Sequence, residues 1–216
     1  MKYIEKREQP YNLDDWIEKK PNLNYENLTK KRKKTIRKKL LEDQGYICCY
    51  CQKRITGIQK DGHRDAEIEH IKPQSNCNDR ETVSYDNLLV SCDGNQKRDN
   101  KLLKEHDRHC NNFRQDKNLY INLLDRDCEN KIYYDFNGGI YAVNNNLDVK
   151  ETINNLNLRI LNSTRKAYID GFSLFDLSND DIDTLNDYFS NKFEENEKQM
   201  YCEYAGVMIN LLNQLG

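Results

Sequence analysis

Cys48 and Cys51 stand three positions apart in the run Cys48-Cys49-Tyr50-Cys51, and two further cysteines, Cys92 and Cys110, follow downstream. A pair at this spacing can grip one zinc ion from a tight turn, and a second pair completes a tetrahedral thiolate site. The spacing therefore asks the chain between Cys48 and Cys110 to fold back on a single point. Seventeen residues, Asp93 to His109, separate Cys92 from Cys110, where a compact site has about two to four. That leaves His106 or His109 as an alternative ligand.

Redox compartment decides what the cysteines are for. The opening residues Met1 to Glu8 lack the apolar core of a signal peptide, and no apolar run reaches the roughly 20 residues that span a bilayer. The expectation is a cytoplasmic protein, whose eight cysteines bind metal or stay as thiols rather than pair. Cys49 is read as packing inward, Cys128 and Cys202 as core residues, and Cys77 has no partner at zinc spacing. With 216 residues the chain can bury a real core.

The net charge of −2 hides an asymmetry. Residues 151–216 hold 5 Lys/Arg against 11 Asp/Glu, net −6, which leaves residues 1–150 at +4. The amino-terminal part is the half that tolerates a polyanion.

In chain order, residues 1–26 read as an extended arm with a short helix near Leu13 to Glu18. A helix runs from Leu28 to Gln44, with Thr29 as N-cap, Ile36, Leu40 and Leu41 on one face and Gly45 ending it. Its other faces carry Lys30, Lys31, Arg32, Lys33, Lys34, Arg37, Lys38 and Lys39, either a solvated surface or one that follows phosphates. Tyr46 to Cys51 reads as a strand turning through the cysteine pair, with Arg54-Ile55-Thr56 returning. His63 falls in an exposed loop. Ala66 to Ile71 reads as a strand stopped by Pro73, and Leu88-Leu89-Val90 as a second, buried strand. Asn111 opens a helix after Cys110. Lys131 to Val143, with Asn137-Gly138-Gly139 at its middle, reads as a hairpin. Three helical stretches follow: one patterned by Val149, Ile153, Leu156 and Ile160 or Leu161; one opened by a Ser178/Asp181 capping box; and one lined by Tyr201, Tyr204, Met208, Leu211, Leu212 and Leu215.

Glu69 and His70 lie between the two cysteine pairs. In a regular strand adjacent side chains point to opposite faces, so a shared role requires a bend or bulge there. An imidazole can take a proton at neutral pH, Glu69 and Asn111 offer hard oxygens to Mg²⁺ or Mn²⁺, and Asn87 can orient the ring. Together these suit hydrolysis of a phosphodiester.

These residues carry a resemblance. Cys48-x-x-Cys51, Glu69-His70-x-x-Pro73, Asn87-Leu88-Leu89-Val90-Ser91-Cys92 and Cys110-Asn111 resemble the HNH (ββα-metal, His-Me finger) endonucleases that carry a zinc-binding cysteine quartet. The resemblance implies an α+β fold: a zinc-stapled ββα-metal core at 46–125, an arm and basic helix before it at 1–45, and a hairpin plus helical part at 126–216 that docks a partner. It implies His70 as general base, Glu69 and Asn111 as ligands of a catalytic Mg²⁺ or Mn²⁺, Asn87 as the supporting residue, and Cys48, Cys51, Cys92 and Cys110 on a structural Zn²⁺. Glu69 stands where that family more often has Asp. The segment Glu69 to Ser75, the insert before His109-Cys110, and the Gly138/Gly139 hairpin followed by Thr152 to Leu158 are similar to the HNH nucleases of Septu and retron-associated anti-phage systems, the PtuB family. That similarity implies a PtuA-like ATPase partner and a nucleic-acid substrate, DNA or alternatively RNA. The competing reading is a non-catalytic, zinc-dependent nucleic-acid-binding or protein-interaction subunit.

Overall fold

The computed structural model describes residues 1–216 apart from 11–12, 21, 61–62, 95–96, 99–100 and 103, and apart from the side chains of 60, 63, 97–98 and 101–102. The expected exposure of His63 lies outside the described side chains.

Local chemistry sets the first half. The amino-terminal arm is tied down by Ile4 N–H to the Leu123 carbonyl at 2.9 Å and leads into α1 (Leu13–Glu18). Helix α2 (Lys30–Asp43) starts where Thr29 accepts the Arg32 N–H, and it buries Ile36, Leu40 and Leu41 as its periodicity requires. Gly45, at φ +61°, ends the run. Strands β1 (Ala66–His70) and β2 (Leu88–Cys92) pair antiparallel from Ala66↔Cys92 to His70↔Leu88. Five consecutive pairs run without interruption, so the bulge expected near Glu69 is absent and the strand stays regular through His70. Every residue of β2 is buried, which explains the run Leu88-Leu89-Val90 in place of an alternating pattern. The expected strand through Cys48–Cys51 is instead a turn, with a single bridge at Ile47↔Arg54; only a turn can aim two nearby thiols at one point.

The second half is helical around hairpins. Helix α3 (Asn111–Arg114) is a single turn. Strands β3 (Ile132–Tyr134) and β4 (Ile140–Ala142) form the expected hairpin, burying Ile132, Tyr134, Ile140 and Ala142 and exposing Tyr133 and Tyr141. At its turn Gly138 has φ +77°, and a Cβ there would lie 2.3 Å from the Asn162 carbonyl, so a side chain fails both on conformation and on space. Helices α4 (Leu147–Asn155), α5 (Asn162–Asp170) and α6 (Asn179–Ser190) follow. The Ser178/Asp181 capping box forms in both directions. Ile160 is largely exposed and Leu161 buried, which settles the choice between them as the fourth apolar position. A further hairpin, β5 (Phe193–Glu195) with β6 (Lys198–Met200), precedes α7 (Ala205–Leu212). Tyr201 and Tyr204 lie ahead of α7 rather than on it, because Tyr204 takes φ +54° at the helix start.

The parts share one continuous set of buried residues drawn from 1–45, 46–125 and 126–216. Backbone bonds join them: Tyr201 N–H to Gly45 O at 2.9 Å, Tyr204 N–H to Gln52 O at 3.0 Å, and Cys110 N–H to Leu156 O at 2.9 Å. The architecture is α+β, with several two-stranded hairpins and a buried four-cysteine cluster. Among the described residues no helix is long and apolar enough to cross a membrane.

Candidate metal centre and adjoining pocket

The cysteine turn is built by its own backbone. Cys48 N–H donates to Lys53 O at 2.9 Å and Gln52 N–H to Cys48 O at 3.0 Å, with Gln52 at φ +64°. Cys92 comes from the last position of β2, and its N–H donates to the Cys48 sulfur at 3.2 Å. Cys110 sits just ahead of α3 with φ +53°. The long insert returns because His109 N–H donates to Gly94 O at 3.1 Å. The approach there is close enough that a Cβ on Gly94 would fall 2.0 Å from the His109 carbonyl oxygen. The split between Cys92 and Cys110 in sequence is thus closed in space.

All four sulfurs lie within 4.8 Å of one another and are buried. Cys48 and Cys110 are 3.9 Å apart at sulfur, Cys51 and Cys92 3.7 Å. A tetrahedron with Zn–S bonds of about 2.3 Å requires sulfurs about 3.8 Å apart, and four soft donors suit Zn²⁺. The donor set therefore fits a structural zinc. Burial raises the Cys48 thiol, but hydrogen bonds from Cys110 and the neighbouring cysteines draw it well below its ordinary range, while burial and Cys48 hold Cys110 well above. Cation-free, the cluster cannot ionise as a whole. His109 is buried with Nδ1 3.1 Å from the Cys110 sulfur, beside a quartet already complete. His106 is exposed and lies 3.4 Å from Asp107, away from the sulfurs.

Next to this centre, His70, Glu69, Asn111, Arg114 and Tyr25 line one pocket. His70 is buried, with Nε2 2.9 Å from the Thr82 carbonyl oxygen and the edge of its ring against Tyr25, centroids 4.7 Å apart. Since a carbonyl only accepts, Nε2 carries the proton and Nδ1 is the basic nitrogen. Burial lowers the His70 pKa, the Thr82 carbonyl partly restores it, and Arg114 and Lys33 lower it further.

Glu69 is engaged elsewhere. Its Oε1 accepts from Tyr50 OH at 2.8 Å and from Arg114 Nη1. Arg114 is 1% exposed and donates also to His70 O at 2.6 Å, Ile71 O at 2.7 Å and Lys117 O at 2.9 Å. Burial raises the Glu69 carboxyl despite Arg114. The carboxylate hydrogen-bonded to Asn111 is Glu67, whose Oε2 accepts from Asn111 Nδ2 at 3.3 Å and Asn112 Nδ2 at 3.5 Å. Burial, with Asp93 nearby, raises the Glu67 carboxyl too.

Asn87 does not touch the His70 ring. Its Oδ1 accepts from Lys72 N–H at 2.8 Å, and its Nδ2 donates to Glu81 O at 3.0 Å. It braces the β1–β2 connection next to Thr82, so it bears on His70 only through that loop. Sequence reasoning missed Glu67, Thr82 and Arg114. The period of two along β1, which puts Glu67 on the face of Glu69, was the signal for the first; Thr82 acts through its backbone and left none.

Comparison of the sequence with protein-family models returned no match, and comparison with curated proteins returned none. Function therefore rests on the site's own geometry.

Proposed function

We propose that this chain is a metal-dependent HNH endonuclease in which β1, β2 and α3 form a ββα-metal core beside a structural zinc. The observation that carries this reading is the Thr82 carbonyl on His70 Nε2. It fixes the tautomer that leaves Nδ1 basic, in a pocket shared with Asn111. His70 then removes a proton from the attacking water. Asn111 with the carboxylate Glu67, to which it is hydrogen-bonded, would hold Mg²⁺ or Mn²⁺, which would supply charge stabilisation at the phosphodiester and its leaving oxygen. Arg114 fixes the end of β1 through the His70 and Ile71 carbonyls, and Asn87 holds the loop bearing Thr82. The zinc quartet, ending at Cys110, sets the start of α3 and with it Asn111.

The same reading extends to a two-component anti-phage system with a PtuA-like ATPase. In support, the acidic carboxy-terminal part exposes Phe175 and Tyr188, and Leu147 is exposed just ahead of it; such side chains suit contact with another protein. One observation favours the competing reading of a zinc-dependent binding module without chemistry: Glu69, the expected metal ligand, is consumed by a buried ion pair.

Incubating zinc-loaded protein with DNA and with RNA, alone and with the candidate ATPase, in Mg²⁺, Mn²⁺ or chelator, tests the proposal. Cutting that needs the divalent cation and disappears in His70→Ala, with zinc and binding retained, is the expected result. Undiminished cutting by His70→Ala would refute it, and binding without cutting under every condition selects the binding module.

A further inference from the structure

The structure sorts the eight basic residues of α2 by what they touch. Lys30, Lys31, Lys34 and Lys38 are exposed. Arg32 covers the Trp16 ring at 4.8 Å, and Lys39 pairs with Asp43 of the same helix at 3.1 Å, so both are engaged within the protein. Lys33 and Arg37, one turn apart, are half-buried. The Lys33 ammonium lies 4.1 Å over the ring of Tyr25, which itself abuts His70. Arg37 lies in the field of Tyr25, Glu67 and Arg64, and its Nε is buried with no hydrogen-bond partner among the described residues. Buried guanidinium donors are nearly always paired, so this Nε lacks an acceptor, one that a ligand would supply on Arg37 turning outward. Tyr25 lines the pocket, so Lys33 above its ring lies at the pocket's margin.

We propose that Lys33 and Arg37 form a phosphate-binding wall beside the His70 pocket, behind Tyr25, and that the substrate is a polynucleotide whose backbone runs along α2. This rests on the endonuclease reading for the identity of the cut bond, though not for binding. Length argues for a polymer over a single nucleotide. Lys30, Lys33 and Arg37 share one stripe at i, i+3 and i+7, a rise of about 10 Å, or about three steps of a duplex strand. The Arg37 fork can hold two phosphate oxygens at once, and Lys33 adds a point charge beside it.

The test uses the zinc-loaded, full-length His70→Ala chain and a fluorescein-labelled 20-base-pair DNA duplex or RNA oligonucleotide, titrated across salt concentrations. Lys33→Ala with Arg37→Ala should weaken duplex binding about tenfold near physiological salt and flatten the slope of log K against log salt by about 1.8, two phosphate contacts' worth. Lys31→Ala with Lys34→Ala removes the same charge from the exposed face and should change the slope far less. Equal effects from the two pairs, or none from either, would overturn the proposal. Should Arg37→Ala fail to fold, Arg37→Lys is the substitute: it keeps the charge and loses the fork, so the slope should hold while affinity falls, and unchanged affinity would count against it. In an otherwise wild-type chain the Lys33/Arg37 pair should raise KM more than it lowers kcat. If no polynucleotide is cut under any condition while the Lys33/Arg37 pair alone governs binding, the nuclease reading falls and the phosphate wall stands.

Discussion

Arg114 and Glu69 form an ion pair in which both side chains are almost completely withdrawn from solvent. It joins α3 to the end of β1, and Tyr50 OH, from the cysteine turn, meets the same carboxylate oxygen at 2.8 Å. One guanidinium thus ties together the metal centre, the strand carrying His70 and the helix carrying Asn111. Removing one partner of such a pair strands the other charge in the interior, at a cost of about 3–5 kcal/mol. Arg114→Ala should lower unfolding stability by about that much in urea titrations of the zinc-loaded protein. Glu69→Gln, which keeps a hydrogen-bond acceptor for the guanidinium, should cost less. Loss of under about 1 kcal/mol in Arg114→Ala would show that the pair is not holding the site.

The cysteine quartet predicts one tightly held zinc per chain. Zinc bound by four thiolates contributes on the order of 10 kcal/mol to folding of small metal-dependent domains, so Cys92→Ser or Cys110→Ser should lose both the metal and most native structure. Cys77→Ser should keep both, because Cys77 lies apart from the quartet, next to the Lys72 and Pro73 carbonyls. Elemental analysis beside circular dichroism checks the three variants. Stoichiometric zinc in Cys92→Ser would remove the assignment.

Much of this was legible in the sequence, for identifiable reasons. Cys48-x-x-Cys51 marks a metal site because the constraint is local, and Cys92 and Cys110 stand out from the other thiols by the motif residues beside them. Thr29, Ser178/Asp181 and Gly138 mark boundaries because caps and tight turns act on their own neighbours. The missed features are those that depend on distant partners or on unusual backbone. The sequence marks the helix opening at Asn111 but not its end: α3 is one turn between Cys110 and Gln115, both at positive φ, and no periodicity announces so early a stop. The β5–β6 hairpin turns through Asn196 and Glu197 at positive φ; without glycine there, the usual mark of such a turn is missing. Arg114 carries no local mark, because its partner Glu69 lies 45 positions away in the chain. The adjacency of Glu69 and His70 suggested a shared role, whereas the regular strand gives each its own set of contacts.

Asn87 gives a prediction separating an indirect effect from a direct one. Its amide holds the Glu81 carbonyl, next to the Thr82 carbonyl that orients His70. Asn87→Ala should free that loop and lower kcat by about tenfold, less than the roughly 10²–10⁴-fold expected on deleting a general base with His70→Ala. Zinc content should be unchanged and KM nearly so. A loss in Asn87→Ala as large as in His70→Ala would mean that Asn87 touches the reacting groups itself.

The pH dependence follows from the burial of His70. To act as a base Nδ1 must be unprotonated, and burial holds the folded-state pKa below the ordinary value of about 6.5. The imidazole is therefore neutral at pH 7, and kcat/KM should stay level as pH falls to about 6.5, dropping only below it. Stability moves in the same direction. As pH falls through the ordinary histidine pKa, the unfolded chain takes up its proton before the folded one does, so this residue's contribution is lost between the unfolded value and the lowered folded one. The measurement is kcat/KM across pH in constant divalent cation, alongside urea midpoints of the parent and His70→Gln. The parent's midpoint should fall more steeply below about pH 6.5 than the variant's. A kinetic limb centred above 6.5 would mean that the titrating base is another group, or that His70 is more open to water than its contacts with Thr82 and Tyr25 allow.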